Sequence, residues 1–167
     1  MSAEDSLIFN KMLKESIKQG NIDVLKQLLI FNFKIDSQLL FTVLSNTHKD
    51  YDKFYEIFRI LLMADTDIMV KTKLNDTLLH ITAMIFDYRF SEMLITLGLN
   101  VNTKNAYDSI PLHYAAYTNN IDVIKLLINA NSDIIIKNKH DKQPLDYANQ
   151  QTKQQIYDEL KLTSDYI

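Results

Sequence analysis

Cysteine is absent from the 167 residues of this sequence, so the chain can form neither a disulfide bond nor a metal site with thiolate ligands. Long apolar runs are absent too, because none approaches the roughly 18 residues that a membrane-spanning helix needs. The first ten residues, MSAEDSLIFN, are acidic, whereas a secretory signal peptide begins with basic residues. We therefore expect a cytoplasmic protein without a membrane segment.

Arginine is nearly absent, with Arg59 and Arg89 as its two occurrences, and the net charge is -3. An acidic chain with so little arginine and no recognised nucleic-acid module is not expected to bind nucleic acid, and its charge gives no attraction to a membrane surface. Motifs of catalysis are missing as well: there is no phosphate-binding loop, no H-E-x-x-H stretch and no nucleophile motif. The sequence therefore predicts a protein that is not an enzyme and uses no cofactor or metal ion.

Glycine and proline occur twice each, although average usage is about 7% and 5%. Asparagine, lysine, isoleucine, tyrosine and phenylalanine are abundant instead. The abundant residues have AT-rich codons, which hints at an AT-rich genome such as that of a large DNA virus, an intracellular bacterium or a protist. This bias says little about chemistry.

An internal repeat organises the residues that are present. The phrase NIDV occurs at residues 21–24 and again at 120–123, and this separation is three times 33. TLLH at 77–80 lies 33 residues before IPLH at 110–113, and QPLD at 143–146 lies 33 residues after it. We call this interval the period. A fixed period of this length is the signature of a repeat architecture.

The period and the phrase SIPLHYAA together resemble the ankyrin repeat. The resemblance implies an all-α solenoid of stacked helix-turn-helix units with projecting hairpins. We expect one domain over residues 1–167, with the phrase best kept in the fourth repeat and the first and last repeats as caps. The predicted repeats cover about 4–36, 37–69, 70–102, 103–135 and 136–167. The second is degenerate, and its first helix is predicted early, near residues 37–44.

Apolar residues in the best repeat follow helical spacing, since Val123, Ile124, Leu126 and Leu127 form one predicted core stripe. Asparagine and aspartate stand where the family usually has glycine, and these residues best tolerate left-handed backbone. The positions after the second helices are Asn32, Asp65, Gly98 and Asn131, and those in the hairpins are Asn75, Asp108 and Asp141.

Histidines are the one residue type that could suggest catalysis. His80 and His113 occupy the histidine position of the family phrase, and the resemblance implies that they form hydrogen bonds between neighbouring loops. His48 and His140 are expected to face solvent, where His140 could contact a partner. Asn102 resembles the hairpin asparagine that animal hydroxylases modify, although a turn-forming role explains it more simply.

The resemblance also implies that a partner protein binds the concave face, built from hairpin tips and first helices. The predicted partner-binding residues are Lys73, Leu74, Met84, Ile85, Lys104, Tyr107, Ser109, Tyr117, Thr118, Lys137, Lys139 and His140. Further positions of that face are Asp76, Ala106, Lys142, Gln150 and Gln151. The apolar members suit a binding hot spot, unless they pack on the neighbouring repeat. The lysines favour a partner with an acidic surface, unless they form a solvated face.

Two functions remain open at this point. The chain could be a monomeric inhibitor, decoy or host-targeting effector that blocks its partner, acting in the host cytoplasm or nucleus. Alternatively, it could be a housekeeping assembly chaperone or an adaptor subunit of a larger complex. The compositional bias slightly favours the first.

Overall fold

The computed structural model of the protein describes residues 3–31, 33–64 and 66–160. Regular structure in these residues is helical, apart from an antiparallel bridge between Lys71 and Thr77. The chain forms two compact units, residues 1–70 and residues 71–167, which we call unit 1 and unit 2. The predicted all-α class is confirmed, whereas the single domain stays a prediction. No helix in the described part of the chain is long and apolar enough to cross a membrane.

Unit 1 is built from two helix pairs, with a short 3₁₀ helix between the members of the second pair. Its helices are α1 (Ala3–Gln19), α2 (Ile22–Leu29), α3 (Leu39–Leu44), the 3₁₀ helix Thr47–Lys49 and α4 (Tyr51–Met63). Helix α1 packs against α2 and α3, and α3 packs against α4. The core includes the fully buried side chains of Leu13, Leu25, Phe54 and Phe58.

In the second predicted repeat, the first helix begins earlier than the period would place it, as the sequence predicts. Helix α3 begins at Leu39, after Asp36 accepts a hydrogen bond from the backbone N–H of Gln38 (3.0 Å). The longer connection that follows contains the 3₁₀ helix. It ends at Asp50, whose side chain accepts from the N–H of Lys53 and caps α4.

In unit 2, short first helices alternate with longer second helices. Its elements are α5 (Leu78–Thr82), α6 (Arg89–Thr96), α7 (Pro111–Tyr117), α8 (Ile121–Asn129), the 3₁₀ helix Pro144–Tyr147 and α9 (Gln150–Leu160). Helix α5 packs on α6 and α7, while α8 packs on α7 and α9. In the final helix pair, the first helix is reduced to the 3₁₀ turn Pro144–Tyr147. Ala148, which follows it, has extended backbone.

The repeated NIDV phrase marks the start of a second helix in each unit. Asn21 caps α2 by accepting from the N–H of Val24, and Asn120 caps α8 by accepting from the N–H of Val123. Along α8, Val123, Ile124 and Leu127 are fully buried. The fourth residue of the predicted stripe, Leu126, is only half-buried, because it lies at the edge of the apolar face.

Left-handed backbone occurs where the sequence predicts it. Positive φ angles are found at Asn75 (62°), Gly98 (89°), Asp108 (55°), Asn131 (63°) and Asp141 (58°). The remaining two predicted positions, Asn32 and Asp65, lie outside the described residues. Gly20 and Asn119 also have positive φ, and neither was predicted. Both stand between the first and second helices of a pair, where the chain must reverse.

Replacing Asn131 by glycine should raise the free energy of unfolding by up to about 1 kcal/mol, because glycine has no Cβ strain in left-handed backbone. Gly98 occupies the equivalent site one period earlier, so the reciprocal change Gly98→Asn should lower stability. Urea unfolding of both variants measures the pair of effects. A destabilised Asn131→Gly variant would contradict this explanation of the turn.

Candidate protein-binding face

Three loops of unit 2 share one backbone design. The first residue of each donates its N–H to the carbonyl oxygen of the fifth, from Thr72 to Asp76 (2.9 Å), from Asn105 to Ser109 (3.0 Å) and from Asn138 to Lys142 (3.0 Å). We call residues 72–76, 105–109 and 138–142 the loop face. Each loop is closed by its left-handed residue, so the tips are small and defined.

Backbone hydrogen bonds also join the loops to one another. The N–H of Ala106 donates to the carbonyl oxygen of Leu74 (2.8 Å), and the N–H of Lys139 donates to that of Tyr107 (3.0 Å). The ammonium of Lys139 donates to the carbonyl oxygen of Ala106 (2.7 Å). The loop face is therefore a connected row rather than three independent tips.

The two phrase histidines strengthen the same row. Nδ1 of His80 accepts from the N–H of Thr77 (3.2 Å), and its Nε2 lies 3.0 Å from the carbonyl oxygen of Ser109. His113 repeats the pattern with the N–H of Ile110 (3.2 Å) and the carbonyl oxygen of Lys142 (3.1 Å). These contacts agree with the predicted hydrogen bonds between neighbouring loops.

The partners of each imidazole also define its protonation state. A backbone N–H can only donate, so Nδ1 must be the acceptor and Nε2 must carry the proton that the carbonyl accepts. Burial is the main cause that lowers the pKa of His80 and of His113 below the usual value. Both rings are therefore neutral structural links at neutral pH.

A polar cluster lies between the first two loops. The carboxylate of Asp76, which is only 7% exposed, accepts from Nδ2 of Asn105 (2.6 Å), the hydroxyl of Tyr114 (3.1 Å) and the hydroxyl of Thr72 (3.1 Å). Nδ2 of Asn105 also donates to the oxygen of Tyr114 (2.7 Å). Burial first, and then the Asp76 carboxylate, raise the pKa of Tyr114 to about 12.

A related cluster lies between the second and third loops, with Ser109 in place of Asp76 and Asn105 in place of Thr72. Nδ2 of Asn138 donates to the hydroxyl oxygen of Tyr147 (2.9 Å) and to that of Ser109 (3.0 Å). Asn138 and Tyr147 stand one period after Asn105 and Tyr114, and Ser109 stands one period after Asp76. Serine therefore replaces the carboxylate in the second cluster.

An open pocket of about 260 Å³ adjoins this second cluster, and we call it the aromatic pocket. Its rings belong to Tyr107, His113, Tyr114, Tyr117, His140 and Tyr147. Met84, Ser109 and Asn138 complete the lining. Tyr107 stacks on His140 with ring centroids 6.4 Å apart, and Tyr117 meets Tyr147 edge-on at 6.5 Å. Aromatic rings held by such contacts give the pocket a fixed shape.

The structure places most of the twelve predicted binding residues at the surface. Nine are exposed: Lys73, Leu74, Met84, Lys104, Tyr107, Tyr117, Lys137, Lys139 and His140. Thr118 is half-buried and donates to carbonyl oxygens of its own helix. The aromatic pocket brings together Met84, Tyr107, Ser109, Tyr117 and His140. Their role in binding stays a prediction.

The predicted exposure of three residues is wrong. Ile85 is 9% exposed because it packs into the core, while its carbonyl oxygen accepts from Nδ2 of Asn120 (2.7 Å). Ser109 is 6% exposed because it joins the second polar cluster. Asp76 is buried as the acceptor of the first cluster. Each lies in the layer beneath the expected contact surface.

Four residues of the site were missing from the predicted list: Asn105, Tyr114, Asn138 and Tyr147. One period separates Asn105 from Asn138, and the same period separates Tyr114 from Tyr147. That coincidence was a signal in the sequence that could have identified them. As for metals, no group of three or more His, Asp or Glu side chains within the described ranges is placed to hold an ion.

Comparison with known proteins agrees with this geometry. The family model described as ankyrin repeats (3 copies) matches residues 49–138 and 79–162. The chain therefore belongs to the ankyrin-repeat family, and the fold and family identify a protein–protein interaction module. The predicted total of five repeats goes beyond this match and stays a prediction. A search of curated proteins finds no match.

Proposed function

We propose that the protein binds a partner protein through the loop face and the aromatic pocket, and that it acts by covering a surface that the partner needs. The observation that carries the proposal is the pocket, which gathers exposed apolar side chains from separate loops and helices. Tyr117 is 68% exposed, Tyr107 43% and Met84 36%. Clustered tyrosines around a concave site are typical of the few residues that dominate binding energy.

The hydrogen bonds beneath the pocket support tight binding. The loops are joined through Ala106, Lys139 and the two phrase histidines, and the rings stack on one another. A partner would therefore meet a surface that is already ordered, so little conformational entropy is lost on association.

Lysines around the loop face suggest the charge of the partner. Lys73, Lys104 and Lys142 are exposed, in a chain whose net charge is -3. Lys137 is paired with Asp141 at 3.0 Å. We propose a partner with an acidic surface, since complementary charge raises the association rate and selects the orientation. We further propose that the protein acts as a monomer.

Blocking a partner requires no further domain or site beyond this surface, so we propose that the protein is an inhibitor, decoy or host-targeting effector. It would act in the cytoplasm or, as an effector, in the cytoplasm or nucleus of a host. An assembly chaperone or adaptor would use the same face. The two are distinguished by whether the captured partner loses or gains activity in the presence of the protein.

The double variant Tyr107→Ala/Tyr117→Ala is expected to weaken partner capture about 100-fold or more, because two large anchors that line the pocket are removed. Both side chains are exposed, so the melting temperature should stay within a few degrees of the wild type. Affinity capture from candidate lysates, followed by titration of the captured protein, measures the loss.

The matched control is Leu97→Ala/Ile135→Ala, which removes two side chains that are 50% and 54% exposed and do not line the pocket. This control should capture the partner as well as the wild type does. Equal capture by the tyrosine variant would move the interface away from the loop face and overturn the proposal.

A further inference from the structure

The two polar clusters of unit 2 follow a similar plan, but only the first contains a carboxylate. In the first, the hydroxyl of Tyr114 donates to the carboxylate of Asp76 (3.1 Å). In the second, Ser109 stands where the carboxylate would be, and its oxygen already accepts from Nδ2 of Asn138 (3.0 Å). The second cluster therefore keeps the asparagine amide and the tyrosine hydroxyl of the first, but it lacks the carboxylate and has Asn105 in place of Thr72.

Two hydroxyl protons of the second cluster have no acceptor among the described residues. The oxygen of Tyr147 accepts from Asn138 (2.9 Å), and no described group accepts the proton of Tyr147. The hydroxyl proton of Ser109 has no acceptor among the described residues either, although Ser109 is only 6% exposed. Each hydroxyl oxygen therefore has Asn138 as its partner, and its proton is available to an acceptor that enters from outside.

Both donors line the aromatic pocket, beside Asn138. In the first cluster, by contrast, the hydroxyl donors of Thr72 and Tyr114 converge on a carboxylate that belongs to the chain. Those of the second converge on an open pocket of about 260 Å³. The second cluster thus repeats part of a carboxylate-binding arrangement, with Ser109 in place of the carboxylate and an open pocket beside it.

We propose that the aromatic pocket, beside Ser109 and Tyr147, takes a carboxylate from the partner, the side chain of an aspartate or glutamate within an acidic segment, which completes the second cluster as Asp76 completes the first. The inference rests on the proposed function and names what enters the pocket. The entering oxygen accepts from the hydroxyls of Tyr147 and Ser109. The methylene groups of the acidic side chain contact the surrounding rings.

The physical balance favours a carboxylate over a neutral acceptor. Hydrogen bonds to a charged acceptor are roughly twice as strong as neutral ones. Burial of the charge is costly unless donors and opposite charge compensate it. Here the donors are preformed, and two exposed lysines, Lys104 next to the second loop and Lys142 at the end of the third, add positive charge to these segments of the chain.

One test places the carboxylate inside the protein. Ser109→Asp puts it at the position equivalent to Asp76, where it should accept from Tyr147 and raise the pKa of that phenol, as Asp76 does for Tyr114. Ser109→Asn is the control of the same size without the charge. An NMR titration of ring-labelled tyrosine reads the result. A pKa of Tyr147 that is the same in both variants would overturn the proposed geometry.

The second test uses peptides selected from a random displayed library on the immobilised wild-type chain. The best binder and its twin with glutamine in place of glutamate are then titrated by fluorescence anisotropy. We expect the amide twin to bind about tenfold more weakly, the effect of losing one charged hydrogen bond. Tyr147→Phe should remove most of that difference, because it deletes the donor.

The outcomes separate this inference from the proposed function. Peptides without an acidic residue, or twins that bind equally well, overturn the carboxylate. If such peptides still lose binding to Tyr107→Ala/Tyr117→Ala, the proposed binding face stands without it. Peptides whose binding is unaffected by the tyrosine double variant overturn both.

Discussion

Replacing Asp76 by alanine should lower the free energy of unfolding by about 3 kcal/mol, because it leaves three donors without their acceptor and each such loss costs about 1 kcal/mol or more. The donors are Nδ2 of Asn105 (2.6 Å), the hydroxyl of Tyr114 (3.1 Å) and the hydroxyl of Thr72 (3.1 Å). Asp76 is 7% exposed, so water replaces the carboxylate poorly. The effect is large for one residue of a loop.

The comparison that isolates this effect is Asp122→Ala. Asp122 lies exposed in the first turn of α8, where its charge interacts with the helix dipole and is worth about 0.3–1 kcal/mol. Urea unfolding of unit 2 within the full chain measures both variants. A loss for Asp76→Ala no larger than that for Asp122→Ala would show that the first cluster does not stabilise the loops.

The periodicity of the sequence was enough to predict the fold because a repeat constrains many positions at once. One aligned phrase places Pro111, His113 and the α8 core, and the same register places the left-handed turns at Asn75, Asp108 and Asp141. The histidine hydrogen bonds followed as well. These features depend on local backbone and on the neighbouring repeat, which the period specifies.

The contact surface could be predicted less well, since repeat position alone does not tell which side chains turn inward. Ser109 and Asp76 look like polar tip residues, yet each is drawn into a cluster by an asparagine at the start of the following loop, Asn138 or Asn105. Ile85 looks like an exposed apolar residue and is buried. Tertiary hydrogen bonds and core packing decided these cases.

Acidification below about pH 6.5, the usual histidine pKa, should destabilise the protein through His80 and His113. Burial is the main cause that lowers both pKa values in the folded state. Between the folded and the unfolded pKa, the unfolded chain therefore binds more protons than the native one. Stability is full above the unfolded value and is lost as the pH falls through the folded one.

The size of the effect follows from the same linkage. Each histidine contributes a slope of up to about 1.4 kcal/mol per pH unit within that interval, so two give up to about twice as much. The hydrogen bonds from the Arg89 guanidinium lower the pKa of the Asp87 carboxyl below its usual value, so Asp87 does not contribute to this range. Urea unfolding at closely spaced pH values between 7 and 5 measures the slope directly.

The variant His80→Gln/His113→Gln tests the assignment, because glutamine can accept at Oε1 and donate from Nε2, as each imidazole does, and does not titrate. It should keep the hydrogen bonds to Ser109 and Lys142 and flatten the profile between pH 6.5 and 5. Protonation of either native ring would place a proton on Nδ1, facing the N–H of Thr77 or Ile110. A slope that survives in the glutamine variant would mean that other groups carry the acid sensitivity, and the two histidines would then be structural links without a role in it.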